Sequence, residues 1–144
     1  MAISCAQVRA AVAAQVATVS GFRESRFPPQ YFGRMQNTIA NKAYTVQIGT
    51  ILAGDDRQRR TVGEYLQTAI IIRFASRLRP HDCYPTDYDS SFDLLQQIIA
   101  AVIGDYASIR QGLSVRFLSA SHSIPESIEW IIHEIQLSAF HTIN

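Results

Sequence analysis

The sequence has few of the residues that mark a cross-linked scaffold or a membrane segment. Its 144 residues include two cysteines, two methionines and one tryptophan, and only 17% of the residues are charged. Two cysteines allow one disulfide at most, and no signal-peptide pattern precedes Cys5, so we expect free thiols in a reducing compartment. No apolar run approaches the roughly 18 residues of a membrane span. We therefore expect no membrane partner.

The net charge is also small, because 13 basic residues nearly balance 12 acidic ones and leave a formal charge of +1. This balance excludes a polybasic nucleic-acid tail and an acidic tail. The charges are nevertheless unevenly distributed. Residues 1–79 contain 11 basic and four acidic residues, whereas residues 80–144 contain two and eight, so the halves carry +7 and −6. Twelve of the basic residues are arginines, which suit bidentate ion pairs with carboxylates.

Apolar residues make up 47% of the chain, which is enough to form one hydrophobic core. Their periodicity predicts a single α+β domain over residues 1–144. Ser4 and Gln7 form a capping-box pattern at the start of a helix. The predicted helices span residues 5–20 and 90–104, and the predicted strands span 43–52, 65–78, 113–121 and 128–143. We expect a mostly antiparallel four-stranded sheet of two hairpins, with both helices packed on it. The Ala69–Ile72 centre of the second strand predicts burial on both faces.

Charged side chains concentrate in three connecting segments. A long aromatic loop over residues 21–41 precedes the first strand, and loops of this length in compact domains are usually functional. The tip of the first hairpin, residues 54–63, carries three arginines. A turn-rich link after Pro80 leads to aspartates at or just before the first turn of the second helix, where the helix dipole favours them. The candidate interaction residues in these segments are Arg23, Arg26, Arg34, Arg57, Arg59, Arg60, Asp82, Asp87, Asp89 and Asp93.

Motifs for chemistry are weak. Residues of the types that bind zinc lie together at His81, Asp82, Cys83, Asp87 and Asp89, but their spacing matches no known signature. The glycines form no phosphate-binding fingerprint, and no serine lies in a Gly-x-Ser-x-Gly elbow. His133 lies among alternating apolar residues, which favours a hydrogen-bonded histidine of the sheet over a catalytic base. We expect no catalytic residue, no metal and no cofactor.

The order of the segments resembles a known family. The run Gly21-Phe22-Arg23, Arg26-Phe27 and Phe32-Gly33-Arg34, followed by Asn37-Thr38-Ile39-Ala40-Asn41-Lys42-Ala43-Tyr44-Thr45-Val46, the arginine-bearing hairpin and a C-terminal hairpin, resembles small tail terminator (tail completion or neck) proteins of tailed bacteriophages. The similarity covers most of the chain in element order and size.

The resemblance implies a structural virion protein without enzymatic activity. Such proteins assemble as rings, typically hexamers, at the head-proximal end of the tail tube, where they stop tube polymerisation and provide the surface that joins the head. The implied partners are other copies of this chain, the tail tube protein and a head-tail connector or neck protein. The implied location is the virion tail, after assembly in the host cytoplasm. Charge complementarity between the arginine-rich and aspartate-rich segments of neighbouring subunits would fix their register.

Two other functions remain open from the sequence. One is a small metal-binding protein or enzyme that uses the cluster at residues 81–89. The other is a nucleic-acid-binding module in which Arg57, Arg59 and Arg60 contact phosphates. Asp55 and Asp56 lie beside these arginines and would weaken their attraction for phosphate, which favours protein carboxylates as partners.

Overall fold

The computed structural model describes residues 3–26, 41–53, 64–79, 83–105, 113–125 and 129–143. In chain order the elements are α1 (Cys5–Ala17), β1 (Arg23–Glu24), β2 (Ala43–Ala53), β3 (Glu64–Arg77), α2 (Tyr84–Val102), β4 (Gly104–Asp105), β5 (Ser114–Ser123) and β6 (Trp130–Ile143). The α+β class, the two helices and the four long strands confirm the expectation from periodicity.

The sheet has six strands among the described residues, in the order β1-β2-β3-β6-β5-β4. The predicted count of four strands is therefore wrong. The two additional strands have two residues each, which is too short to produce an alternating pattern in the sequence. β1 pairs parallel to β2 within the segment predicted as a loop, and every other pairing is antiparallel. The two predicted hairpin pairs, β2–β3 and β5–β6, are present and meet where β3 pairs with β6.

Helix α1 begins with the predicted capping box. The Ser4 hydroxyl accepts a hydrogen bond from the Gln7 amide at 3.2 Å, and the Gln7 side chain accepts one from the Ser4 amide at 2.9 Å. The helix ends at Ala17, three residues before the predicted end. Its small apolar side chains lie against the sheet, which brings the two backbones close. The buried residues of this helix are Val8, Ala11, Val12, Ala13 and Val16.

Helix α2 begins at Tyr84, six residues before its predicted start. Pro85 lies in its first turn, where proline is favoured because no intrahelical partner is lost there. The prediction treated this proline as part of a turn-rich link. Because the helix begins earlier, only Asp87 lies in its first turn, whereas Asp89 and Asp93 lie further along the helix. Among the described residues, neither helix has the length and apolarity needed to cross a membrane.

The main core lies between the helices and one face of the sheet. Ile70, Ile72 and Phe74 of β3 point into it and have no exposed surface, as do Ile135 and Leu137 of the neighbouring strand β6. The predicted burial of Ala69–Ile72 on both faces is wrong, because Ala69 and Ile71 on the opposite face are only half-buried. A smaller apolar cluster on that opposite face contains Ala43, Ala75, Ile132 and Trp130.

Candidate interaction surface

Strand β5 has an uncovered edge. On the side away from β6, β4 pairs only with Ser114 and Val115, and among the described residues no strand pairs with the rest of β5 on that side. All eight residues from Arg116 to Ser123 are exposed. Phe117 and Leu118 retain 42% and 58% of their side-chain exposure. An edge strand of this kind presents unpaired backbone N–H and C=O groups to another strand.

The opposite edge of the sheet, on β2, is covered at only one end. β1 pairs with Ala43 and Tyr44, the Ser25 amide donates to the Tyr44 carbonyl at 2.7 Å, and Arg9 Nε donates to the Val46 carbonyl at 2.9 Å. In the part of the chain that the structure describes, nothing pairs with residues 47–53 on this edge. This stretch includes Ile51 and Leu52, which are 46% and 54% exposed.

Natural edge strands are commonly protected by lysine, other charges, proline, β-bulges or a covering loop. Each of the two uncovered edges contains one irregularity of strand register, between Ile48 and Ile51 on β2 and between Phe117 and Ser119 on β5. The sequences FLSASHS (residues 117–123) and QIGTILA (residues 47–53) contain no charged residue and no proline. We call these two seven-residue segments the β5 edge and the β2 edge. Their composition favours pairing with another strand over exposure to solvent.

An open groove of about 560 Å³ lies next to the β5 edge. Its lining residues are Ile103, Gly104, Ser114, Val115, Arg116 and Phe117. Ile103 is 43% exposed, so the groove extends the apolar surface formed by Phe117 and Leu118. A groove with Ile103, Val115 and Phe117 in its lining can receive apolar side chains of a partner.

The predicted arginine-bearing segments are placed only in part. Arg23 and Arg26 are exposed, with Arg23 in β1 and Arg26 just beyond it. Glu24, which is next to Arg23 in β1, forms an ion pair with the guanidinium of Arg9 in the same chain. Arg34, Arg57, Arg59, Arg60 and Asp82 lie outside the described residues, so their predicted roles stay predictions.

Asp87 forms an ion pair within its own chain. Its carboxylate accepts hydrogen bonds from Arg79 Nε and Nη2, both at 2.9 Å, and from the Arg79 backbone amide at 2.8 Å. These bonds from Arg79 hold the pKa of the Asp87 carboxyl at about 2. The side chain is only 12% exposed, so little of it is available to an arginine of another subunit. Asp89 and Asp93 are exposed on α2, so their side chains are accessible to an arginine of another subunit.

The structure gives no support to a metal site in the part of the chain that it describes. No group of three or more histidine, cysteine, aspartate or glutamate side chains comes together among those residues. His81 and Asp82 of the suggested cluster lie outside them. Cys83 is half-buried and free, and Asp87 uses both carboxylate oxygens for Arg79. The described donors of the 81–89 cluster are thus not arranged around a common point.

His133 is a buried histidine of the core with one ring nitrogen unpaired. The Ser91 hydroxyl donates to the Tyr88 carbonyl at 2.6 Å, so at 3.0 Å from His133 Nε2 it must act as the acceptor. His133 therefore carries its proton on Nε2, and Nδ1 has no partner among the described residues. The ring is stacked on Phe74 with centroids 4.9 Å apart. The prediction of a sheet histidine is correct in position, but only one of its nitrogens is hydrogen-bonded.

His141 joins the first residues of the chain to the centre of the sheet. Its Nδ1 lies 2.7 Å from the Ile3 carbonyl, and its Nε2 lies 2.7 Å from the Thr68 hydroxyl. A carbonyl can only accept, so Nδ1 carries the proton and the Thr68 hydroxyl donates to Nε2. The Cys5 sulfur lies 3.9 Å from the same hydroxyl. Thr68 and His141 have no exposed surface, so this arrangement has a structural role.

We expect Thr68→Val to lower the free energy of unfolding by about 1–3 kcal/mol, because the shape is kept while His141 Nε2 loses its buried donor. Urea denaturation followed by circular dichroism measures this change. Thr50→Val is the matched control on the exposed part of β2 and should change stability by less than about 0.5 kcal/mol. Equal effects of the two variants would contradict the assigned hydrogen bond.

The sequence interpretation missed the β5 edge. This surface consists of Phe117, Leu118, His122 and small neutral residues, so it forms no cluster of charges. A signal was present, because residues 117–123 of a predicted strand and its end contain no charged residue and no proline. What could not be seen in the sequence is that, among the described residues, β4 pairs only with Ser114 and Val115 and no other strand pairs with this side of β5.

The comparisons with known proteins give a similar structure but no family. No family model and no curated protein matches the chain. Among solved structures, a chain from "Virion of native gene transfer agent (GTA) particle" is similar, with a TM-score of 0.47 and 14% sequence identity. The match covers 95% of this chain and 90% of that one.

Proposed function

We propose that this chain is a structural virion protein, a tail terminator or neck protein of a tailed bacteriophage. It assembles as a homomeric ring, a hexamer in the form that the family resemblance implies. The ring caps the tail tube, stops its polymerisation and provides the surface that joins the head. The protein works through surfaces and uses no catalytic group, cofactor, membrane or specific nucleic-acid partner. It resides at the head-proximal end of the virion tail after assembly in the host cytoplasm.

The observation that carries this proposal is the β5 edge. A strand whose outer residues are all exposed, and which lacks charges and proline over seven residues, is costly to leave in solvent. A subunit that must join neighbours on both sides requires complementary surfaces, and in the described part of the chain the two ends of this sheet have edges that no strand covers. The resemblance of residues 21–46 to tail terminators supplies the biological setting.

The charged residues contribute to the proposed assembly mainly by selecting the correct partner surface. We retain Arg23, Arg26, Arg34, Arg57, Arg59, Arg60, Asp82, Asp89 and Asp93 as residues that contact a neighbouring subunit or the tube. Asp87 has a smaller share, because Arg79 of its own chain already neutralises it. Exposed ion pairs contribute only about 0–1 kcal/mol each, so these residues select the correct face while apolar and backbone contacts supply the affinity.

The experiment is a tube-capping assay. The chain is mixed with the tail tube protein encoded in the same genome, and tube lengths are measured by negative-stain electron microscopy. We expect shorter tubes with extra density at one end, and a ring-sized mass for the free or tube-bound chain by light scattering. Tubes of unchanged length with bare ends would overturn the proposed function.

A further inference from the structure

We infer that the β5 edge of one subunit pairs antiparallel with the β2 edge of the next copy, so that the sheets of neighbouring subunits join into one continuous sheet. This inference rests on the proposed function for its setting and adds the partner strand and its register. The occupant of the β5 edge is thus a second copy of this chain. A strand of the tail tube protein is the competing occupant that the experiment must distinguish.

The strand directions permit this pairing. The four long strands β2, β3, β6 and β5 alternate in direction, since each neighbouring pair is antiparallel. In a ring, rotation about the ring axis brings the β2 edge of the next copy beside β5. β2 and β5 run in opposite directions, so the junction is antiparallel as well. The contact joins two different edges, which is the heterologous type of contact that generates rings.

The two edges also match in length and composition. Each has seven residues without charge or proline. Each carries two exposed large apolar side chains, Phe117 and Leu118 on the β5 edge and Ile51 and Leu52 on the β2 edge. Pairing would reduce the exposure of these side chains and would satisfy backbone groups of both strands outside the two register irregularities.

The positions of the two edges in the sheet define a displacement between copies. Through the ladder, Gln47 lies level with Ser119, and Leu52 lies level with Ser114. Full antiparallel overlap of the two edges pairs Gln47 of the next copy with Ser123, four residues beyond Ser119. The next copy must therefore be displaced by four residues along the strand direction. At about 3.3 Å per residue this is about 13 Å.

Tilted strands in a closed ring produce a displacement of this size. Strands of closed sheets tilt by about 35–45° and lie about 4.8 Å apart, so each successive strand is shifted by roughly 3.4–4.8 Å. Four long strands per subunit accumulate roughly 13–19 Å. The four-residue displacement lies at the lower end of this range. In addition, β4 and β1 cover the parts of the two edges that this register leaves out.

The test uses pairs of lysines as edge protection. Ala120→Lys with Ser121→Lys places a charge on each face of the β5 edge, and Thr50→Lys with Ile51→Lys does the same on the β2 edge. Gln96→Lys with Gln97→Lys on α2 is the matched control, with the same change in charge. All six positions are exposed, so the subunit should stay folded, which circular dichroism and thermal melting verify. The masses of the assemblies are measured by size-exclusion chromatography with light scattering.

We expect the wild type and the α2 control to form the ring, alone or on the tube, and each edge variant alone to be a monomer. An equimolar mixture of the two edge variants should form a heterodimer and nothing larger, because the pair retains one intact β5 edge and one intact β2 edge. A mixture that stays monomeric would overturn the inference. So would an unchanged ring in either edge variant, or a β2-edge variant that still dimerises through its β5 edges.

The tube-capping assay separates this inference from the proposed function. If edge variants lose the ring and no longer cap tubes, both hold. If the edge variants still form rings that cap tubes, the edge pairing is wrong and the tail terminator function stands. If the wild type pairs through its edges but leaves tube length unchanged, the pairing stands and the function is wrong. A wild type that is monomeric with and without tube would overturn both, and binding of only the tube protein at the β5 edge would overturn the second-copy assignment.

Discussion

Phe74→Ala is expected to destabilise the protein by about 3–5 kcal/mol, the usual cost of truncating a buried phenylalanine. Phe74 has no exposed surface and lies at the centre of the core between both sheet edges. Its ring contacts Phe22 edge-on with centroids 5.5 Å apart and stacks on His133 at 4.9 Å. Alanine would leave a cavity at this position, because the surrounding side chains, among them Phe22 and His133, relax only in part. Small domains are stable by only about 5–15 kcal/mol, so a large share of the stability would be lost.

Urea denaturation with linear extrapolation measures this loss, and Phe117→Ala provides the matched control. Phe117 carries the same ring but is 42% exposed, so its truncation in the monomer should cost about 1 kcal/mol or less. The ratio of the two effects tests the assignment of the core. A loss below about 1 kcal/mol for Phe74→Ala would contradict it. If assembly raises stability, Phe117→Ala should act mainly on the assembled form, which a comparison at two protein concentrations detects.

Acidification should destabilise the protein between pH 6.5 and about pH 4. Burial, followed by the nearby His122, lowers the pKa of His133 from 6.5 to about 4. Burial also lowers the pKa of His141, although its bond to the Ile3 carbonyl acts in the opposite direction. Below pH 6.5 the unfolded chain binds protons that the folded chain excludes, so the free energy of unfolding falls as pH falls. The unpaired Nδ1 of His133 gives a structural reason, since a proton there would have no acceptor among the described residues.

The expected contribution of His133 is about 3 kcal/mol between pH 7 and pH 4, since each unit of pKa difference corresponds to about 1.4 kcal/mol. Urea denaturation at pH 7.0, 6.0, 5.0 and 4.0 measures the slope. His133→Phe should remove most of it, because phenylalanine fits between aromatic neighbours without titrating. His122→Gln, at an exposed position, should retain most of it. Asp87 does not obscure this range, because its stabilising ion pair is lost only below its unfolded pKa of 3.8 and toward its folded pKa of about 2. A stability that is flat from pH 7 to pH 4 would contradict the burial of a neutral His133.

Elements with many residues of one period were predictable from the sequence. The alternation of Ile131, Ile135, Leu137 and Ala139 with Trp130, Ile132 and Phe140 located β6, and the structure places the first of these faces in the core. The capping box located the first turn of α1 to the residue. The predicted start of α2 was wrong because Pro85 was interpreted as a helix breaker. In the structure Pro85 lies in the first turn of the helix, where proline is favourable. The short strands β1 and β4 were not predictable, since two paired residues form only because other parts of the chain hold them beside a long strand.

The candidate surface was less predictable than the fold. The uneven charge suggested that arginines would meet aspartates of another copy, but two of the ion pairs in the described structure join the two halves of one chain, Arg79 with Asp87 and Arg73 with Glu134. Charge counts along a sequence carry no information about which opposite charge is nearest in space. The neutral residues 117–123 were not predicted to interact with a partner. They are nevertheless all exposed, whereas only residues 49–53 of β2 are. Exposure of an edge depends on where its neighbour ends, which is a property of the sheet and not of the strand.

The sequence by itself determined the α+β class, the two helices and the four long strands. These follow from period and composition, because each element must bury one apolar face. Only the tertiary structure decided that β3 and β6 meet at the centre and that Asp87 is neutralised by Arg79. It also decided that, among the described residues, β5 and β2 have edges at opposite ends of the sheet that other strands cover only in part. The physical reason is that the spacing of apolar residues along a helix or strand is a local property of the sequence. Strand order, ion pairing and edge exposure depend instead on contacts between residues far apart in the chain.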